Sequence, residues 1–366
     1  MLKKRFFAFL AAAALTAVLT LGITTAFPPV FTKGQIQEGL CYETTGVCPD
    51  AVVLSVDGTG VPADLYYFML CSECSSIDAV LQQYGGSIDW EMDMGDGLTL
   101  GDAIKNETIS LLAQRVTVEK LAQQYGVTLS EDEINELAEV RAQTVEAFGS
   151  EEAYLAQIGK LGLREESYDR LLRDNCLYED LYVLYGTEGS ELCPDPALLM
   201  QYAAEQGYIT ADHILIKTTD DSGKLLTEEA REEKTALAED ILAQLRSGDG
   251  SYEAFAALAD QYSQDPGRLT NPHGYTFTTG EMVQAFEETA YAMKEGTFSD
   301  LVETPYGYHI LYRLPLSEEA AEMVRESCFG ELIGTTAENA EIKISPALDS
   351  VDPQRAYAAA LDAQAD

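Results

Sequence analysis

Residues 208–217, YITADHILIK, and residues 302–314, VETPYGYHILYRL, decide how this chain is read. Both alternate apolar and polar side chains with a period of two and are rich in β-branched and aromatic residues, the pattern of a short buried strand. The chain has only three histidines, and two of them, His213 and His309, stand in nearly identical frames, His-Ile-Leu-Ile and His-Ile-Leu-Tyr. One histidine in an apolar strand is more often a satisfied core residue than a functional one. Two of them, bracketing a stretch of helical pattern, predict paired strands that bring the imidazoles together.

The stretch between them carries FAALADQYSQDPG at 255–267 and GEMVQAFEETAYAMKEG at 280–296. With the two strands, these elements make the block from Tyr208 to Leu314 resemble the parvulin family of peptidyl-prolyl cis/trans isomerases. The resemblance rests on the opening His-Ile-Leu-Ile, Phe255-x-x-Leu258-Ala259-x-x-Tyr262-Ser263-x-Asp265, Gly280-x-Met282-Val283-x-x-Phe286, Gly296, and Thr304-x-Tyr306-Gly307-Tyr308-His309-Ile310, in that order. Many parvulins carry a Gly-Gly-x-Leu-Gly turn where this chain has Asn271-Pro272-His273-Gly274-Tyr275-Thr276-Phe277, which alters the rim of the pocket. The resemblance implies a small antiparallel sheet surrounded by helices. It also implies a site in which His213, Asp265, His309, Thr304 and Tyr306 are catalytic. Met282, Phe286 and Phe277 would form an apolar cup for proline, with Met282 and Phe286 at i and i+4 of a helix from Glu281 to Met293. His273 reads as an exposed rim residue.

At 366 residues the chain is too long for one small domain. Hydrophobic residues make up 46%, enough for packed cores. A balance of 23 Lys and Arg against 62 Asp and Glu gives a net charge of −39, a field that repels phosphates and excludes nucleic acid as a partner.

Residues 1–27 read as a signal peptide or an N-terminal membrane anchor: Lys3, Lys4 and Arg5 precede an apolar run from Phe6 to Phe27, long enough to span a bilayer as a helix. Thr24-x-Ala26 leaves cleavage open. Residues 28–50 read as a linker. From residue 51, AVVLSVDGTGVPADLYYFML reads as a strand, a Gly turn and a helix, and resembles the start of the chaperone domain of PrsA- and SurA-type foldases. Helices follow at Ile104–Tyr125, at Glu131–Phe148 behind the capping box Ser130-x-x-Glu133, at Glu151–Ile158 and at Arg164–Tyr185. The stripe Tyr168, Leu171, Leu172, Leu177, Tyr178, Leu181 and Tyr182 reads as core rather than as a client groove. Pro194, Pro196 and Gly207 punctuate the end of this domain, assigned to 51–206.

The isomerase domain is assigned to 207–315, and 316–366 to a C-terminal segment with a helix at Ser317–Leu332, a strand at Ala340–Ile344 and a helix at Pro353–Ala363. That segment is too small for its own core. The strand Val52–Val56 has no obvious hairpin partner nearby, so pairing with Ile342–Ile344 would serve both, as the PrsA resemblance also implies. The expected class is α+β: a mainly helical N-terminal chaperone domain completed by the C-terminal segment, with an inserted parvulin domain.

The resemblance implies an extracytoplasmic isomerase and chaperone, membrane-anchored by its N-terminal helix or secreted, acting on unfolded or partly folded exported polypeptides at X-Pro bonds. A catalytically weak peptide-binding holdase is the alternative. The acidic pair Asp220-Asp221 beside the first strand argues for unphosphorylated clients. Lipidation of Cys41 is not expected, because Cys41 lies well beyond the apolar run and follows Leu40. None of the seven cysteines falls in the isomerase block, so a Cys-His hydrolase has no nucleophile there. A zinc site from Cys41, Cys48, Cys71 and Cys74 is disfavoured, since Cys71 and Cys74 fall in a helix and no second Cys-x-x-Cys exists. No cofactor or metal is expected. A Cys41–Cys48 disulfide is preferred, with a fully reduced set as the alternative.

Overall fold

The computed structural model describes residues 31–365 apart from Asp221. The targeting segment 1–27 and Asp221 therefore lie outside the described residues. Among those described, no helix is long and apolar enough to cross a membrane. The chain divides into two compact units, one comprising the chain up to Cys193 with Phe329–Asp366, the other Pro194–Cys328. The architecture is α+β.

In the first unit the stretch expected to be a linker instead carries a helix, α1 (Leu40–Thr45), which buries Cys41 in the core. No disulfide joins Cys41 to Cys48. The Cys41 thiol points toward the Val47 carbonyl at 3.9 Å, and burial, reinforced by Asp64, pushes its pKa up to about 12. Strand β1 (Val52–Val56) does have a hairpin partner, β2 (Thr59–Pro62), contrary to the sequence reading. The turn is Asp57-Gly58, both at positive φ (46° and 87°), the conformation that Asp-Gly favours in a tight hairpin.

Helix α2 (Ala63–Gln83) follows, then the short hairpin β3 (Asp93–Gly95) and β4 (Leu98–Thr99). Helix α3 (Leu100–Tyr125) starts earlier than its apolar spacing suggests, because Thr99 and Asp102 form a capping box. Helices α4 (Glu131–Phe148), α5 (Glu151–Lys160) and α6 (Glu165–Gly186) complete this part, α4 behind the Ser130–Glu133 box. On α6, Leu171 and Leu181 are buried, while Tyr178, Tyr182 and Tyr185 pack around Phe329 at ring distances of 5.1, 5.5 and 5.1 Å.

The second unit opens with α7 (Pro196–Glu205), whose Ala203 packs with Ala320 and Val324. The contact is internal to this unit, which runs over 194–328, wider than the 207–315 expected from the sequence. Then come β5 (Ile209–Lys217), α8 (Glu228–Ser247), α9 (Tyr252–Tyr262), a 3-10 turn at Pro266–Leu269, β6 (Tyr275–Phe277), α10 (Gln284–Ala292), β7 (Thr297–Phe298), β8 (Val302–Thr304) and β9 (Gly307–Leu314). The sheet runs β6-β5-β9-β7, with β8 also pairing with β9.

Period-two alternation sorts its two faces. Ile214, Ile216, Ile310 and Tyr312 pack with Ile241, Leu242 and Leu245 of α8 and Phe255 of α9. Ile209, Ala211 and Leu311 pack with Phe277 and Phe286 on the other side. Helix α10 is shorter than the expected Glu281–Met293 and starts only at Gln284, so Met282 lies on the bend before it. The bend is held by Gly280 N–H donating to Glu287 Oε2 at 2.7 Å and Thr278 N–H donating to Glu281 Oε2 at 2.8 Å.

The chain ends with α11 (Glu319–Glu338), β10 (Ile342–Ile344), a 3-10 turn at Pro346–Ser350 and α12 (Pro353–Ala365). Strand β10 pairs antiparallel with β1, Leu54 opposite Ile344 and Val56 opposite Ile342. Tyr67 donates to the Ala356 carbonyl at 3.0 Å, and Ala356, Tyr357 and Ala360 share one core cluster with Leu54, Leu65 and Leu70.

Candidate active site

The β5–β9 register sets Leu215 opposite His309 and His213 opposite Leu311, so the two histidines are diagonal neighbours on one face. Their rings lie 5.1 Å apart, tilted by 46°. Both are buried, at 7% and 4% exposure. Phe286 presents its ring edge-on to each, at 5.2 Å from His213 and 5.5 Å from His309. Phe277 sits behind Phe286 at 5.9 Å and is only 1% exposed; Met282 is half-buried against the same cluster.

The polar partners differ between the rings. Thr304 Oγ1 and His309 Nε2 are hydrogen-bonded at 2.9 Å. The Asp265 carboxylate stands 3.6 Å from His213 Nε2. Asp265 also accepts from Gly267 N–H at 3.2 Å, as cap of the 3-10 turn, and from the Tyr275 hydroxyl at 2.5 Å. Tyr275 stacks on His213 with ring centroids 5.6 Å apart. Tyr306 is 56% exposed and enters through its backbone, its N–H donating to Thr304 Oγ1 at 3.2 Å. Sequence reading therefore placed His213, His309, Asp265, Thr304 and Phe286 in one cluster, with Met282 and Phe277 adjoining through Phe286 and Tyr306 at the edge. His273 is exposed.

Four side chains to which the sequence reading gave no role support the site: Asp212, Arg268, Tyr252 and Ser263. Asp212, 2% exposed, accepts from Arg268 at 2.9 and 3.2 Å and from the Tyr252 hydroxyl at 3.0 Å. Ser263 takes the Leu215 N–H at 3.1 Å, and Gln264 N–H donates to the Leu215 carbonyl at 2.8 Å, which ties the segment leading to Asp265 along β5. One signal was available: an aspartate at an inward position of a strand alternation demands a cation.

Burial drives both imidazoles toward the neutral form. For His309, burial and then the neighbouring His213 lower the pKa to about 3, against a smaller opposing pull from Asp265. For His213, burial again leads, with Arg268 helping and Asp265 and Asp212 opposing, and the net shift is downward. Near neutral pH the site is thus a pair of uncharged, hydrogen-bonding rings beside one carboxylate and an aromatic wall. It can orient and polarise a bound group, and it holds no thiol to attack one.

This fold and cluster define a PPIC-type isomerase domain: the family model described as rotamase, PPIC-type PPIase domain, matches residues 213–314. The chain is 33% identical over 204 residues to a protein named foldase protein PrsA of Geobacillus kaustophilus, covering 55% of this chain and 60% of that protein. It is 34% identical over 232 residues to foldase protein PrsA 2 of Listeria innocua, covering 62% of this chain and 69% of that protein. The chain belongs to the PrsA foldase family. The match to the Geobacillus kaustophilus protein stops short of two thirds of its length, at 60%. The crystal structure of PrsA from Bacillus subtilis overlaps 76% of this chain and 92% of that chain at 22% identity, with a TM-score of 0.24.

Proposed function

We propose that this chain is an exported peptidyl-prolyl cis/trans isomerase and chaperone acting on unfolded or partly folded polypeptides at X-Pro bonds. The observation that carries the reading is the buried His213–His309 pair, with Asp265 facing one ring, Thr304 bonded to the other and Phe286 as the wall. An X-Pro bond turns slowly because amide resonance sets a barrier of roughly 18–20 kcal/mol. Its isomers differ by only about 0.5–1 kcal/mol. No bond has to break, so a catalyst need only bind the twisted amide better than either planar form.

Met282 and Phe286, backed by Phe277, would grip the proline ring and keep water from the charge-separated planar amide. His213 and His309 would polarise the substrate carbonyl, His309 oriented by its bond to Thr304 and His213 facing Asp265, with Tyr306 at the rim. Unphosphorylated clients are favoured because the arginines of this unit have acidic partners: Arg268 is committed to Asp212 and Asp260, Arg231 to Glu228 and Arg246 to Asp300.

The chaperone part rests on α4, which buries none of its residues and leaves Ile134, Val140 and Phe148 exposed at 54, 48 and 46%. Surface of that kind suits weak contact with unfolded chains. Export, with the chain anchored or released, is proposed from the basic and apolar start, residues 3–27. A free, unlipidated Cys41 is in keeping with its 2% exposure. The isomerase is proposed to be an insertion, with the C-terminal segment completing the N-terminal domain; the β1–β10 pairing and the Tyr67–Ala356 bond support this.

The test is catalysis of isomerisation of unphosphorylated X-Pro peptides by the full chain. The expected result is acceleration over buffer, unimproved by phosphoserine before proline. A folded chain that suppresses aggregation of an unfolded client yet leaves the isomerisation rate at its buffer value is a holdase; the altered loop 271–276 is the feature that favours this competing reading.

A further inference from the structure

The loop in which this chain departs from the parvulin pattern carries a side chain that reaches the centre of the site. Tyr275 lies on β6 opposite Ala211 of β5, and its hydroxyl donates to Asp265 Oδ2 at 2.5 Å. The same oxygen stands 3.6 Å from His213 Nε2, too far for a hydrogen bond. Two glycines make room for this arrangement. Gly274 sits at φ +90°, where a Cβ would fall 2.6 Å from the Ala211 carbonyl oxygen, so only glycine lets the loop descend onto β5. At Gly267 a Cβ would lie 2.0 Å from the Tyr275 hydroxyl itself.

We propose that Tyr275 is a positioning residue of the site: by occupying Asp265 Oδ2 it keeps that carboxylate from taking the His213 ring as its hydrogen-bond partner. The inference rests on the isomerase reading above for its effect on turnover, but not for its effect on His213. The bond from the phenol to the carboxylate is charge-assisted, shorter and stronger than a neutral one, and it holds Asp265 Oδ2 on Tyr275. With the phenol in place, His213 faces Asp265 without a bond to it. Its other charged or titratable neighbours are Asp212 with Arg268, His309 on β9, and Tyr275 itself; the wall from α10 is the apolar Phe286. Remove the hydroxyl, and His213 Nε2, 3.6 Å away, can close on Asp265 Oδ2 as its donor. An imidazolium–carboxylate pair then becomes the favoured state at mildly acid pH.

The experiment follows imidazole titration by NMR in the full chain, alongside the pH profile of kcat/KM for X-Pro isomerisation. In Tyr275→Phe, which keeps the stacked ring, the His213 midpoint should rise by about one pH unit or more. The acid limb of the kcat/KM profile should move up with it. Gly267→Ala, whose methyl displaces the hydroxyl without removing it, should shift His213 in the same direction and serves if Tyr275→Phe does not fold. In the Asp265→Asn background neither change should move His213. A His213 midpoint that stays at the wild-type value in a folded variant overturns the proposal. If the wild-type chain shows no isomerisation above buffer, the functional reading falls while the NMR titration still decides the role of Tyr275.

Discussion

The two histidine strands read almost alike in sequence and are wired differently in space. His309 is held from within its own hairpin: Thr304, five residues away on β8, meets its ring at 2.9 Å and also takes the Tyr306 N–H. His213 is held from outside. Its ring lies under Tyr275 from β6, faces Asp265 from the 3-10 turn, and follows Asp212, whose charge is balanced by Arg268 from that same turn. One imidazole therefore has a local, neutral partner, and the other has distant, charged ones. A shared frame fixes where a ring stands, while its protonation and orientation are set by whatever the fold brings up beside it.

The largest expected effect removes what the two rings share. Phe286→Ala strips the edge-on wall from both imidazoles and should destabilise the Pro194–Cys328 unit by about 4 kcal/mol. Isomerisation should fall with it, as read by denaturant unfolding and by peptide turnover. A loss under about 1 kcal/mol would mean that the wall is not packed as described. Next comes a change confined to the His213 side. Arg268→Ala leaves Asp212 buried without its cation, at a cost of about 3 kcal/mol. Arg268→Lys should recover only part of it, since a single ammonium cannot serve Asp212 and Asp260 as the guanidinium does. Full rescue by lysine would argue against the paired geometry.

The third effect is in pH. His309 has a folded pKa of about 3, below the ordinary imidazole value, so the unfolded chain takes up its proton first as pH falls. Its contribution is complete above about pH 6.5 and is lost progressively below it, by about 2 kcal/mol between pH 6.5 and 5. The measurement is the pH dependence of unfolding in wild type and in His309→Gln, in which the carboxylate titrations are common to both. Parallel curves over that window would show that the ring is not buried in its neutral form.

Much of this was legible. The period-two alternation of YITADHILIK and YHILYRL sorts directly into the two packed faces of the sheet. Asp265 and Thr304 were reached through motif resemblance, and each has its position set by nearby backbone, the 3-10 turn in one case and the β8–β9 turn in the other. What stayed hidden depends on contacts between residues far apart in sequence. Arg268 and Asp212 are separated by 56 positions, and nothing local marks either as the other's partner. Tyr275 looked like a rim substitution, because its reach to Asp265 requires the space left at Gly267. The hairpin partner of Val52–Val56 is hidden for a different reason: Asp57-Gly58 reads as a Gly turn leading straight into a helix, and the four-residue strand between them, Thr59–Pro62, is too short to show an alternation of its own.

The smallest expected effect is the sharpest test of the contrast between the rings. Thr304→Val keeps the shape of the side chain and removes one hydroxyl, which serves the His309 ring, the Gly307 carbonyl at 3.3 Å and the Tyr306 N–H. Losing a neutral hydrogen bond at a buried site costs about 1 kcal/mol net. Because the hydroxyl carries no charge, its removal should leave the His213 titration where it was and change only the orientation of His309. Stability should drop slightly at every pH, with no new pH dependence, and turnover should fall through kcat more than KM if His309 acts on the twisted amide. Resolved imidazole signals would separate the outcomes. A shift of His213 as large as that of His309 would mean that the two rings respond as one coupled unit, and the distinction between a locally and a remotely wired histidine would fail.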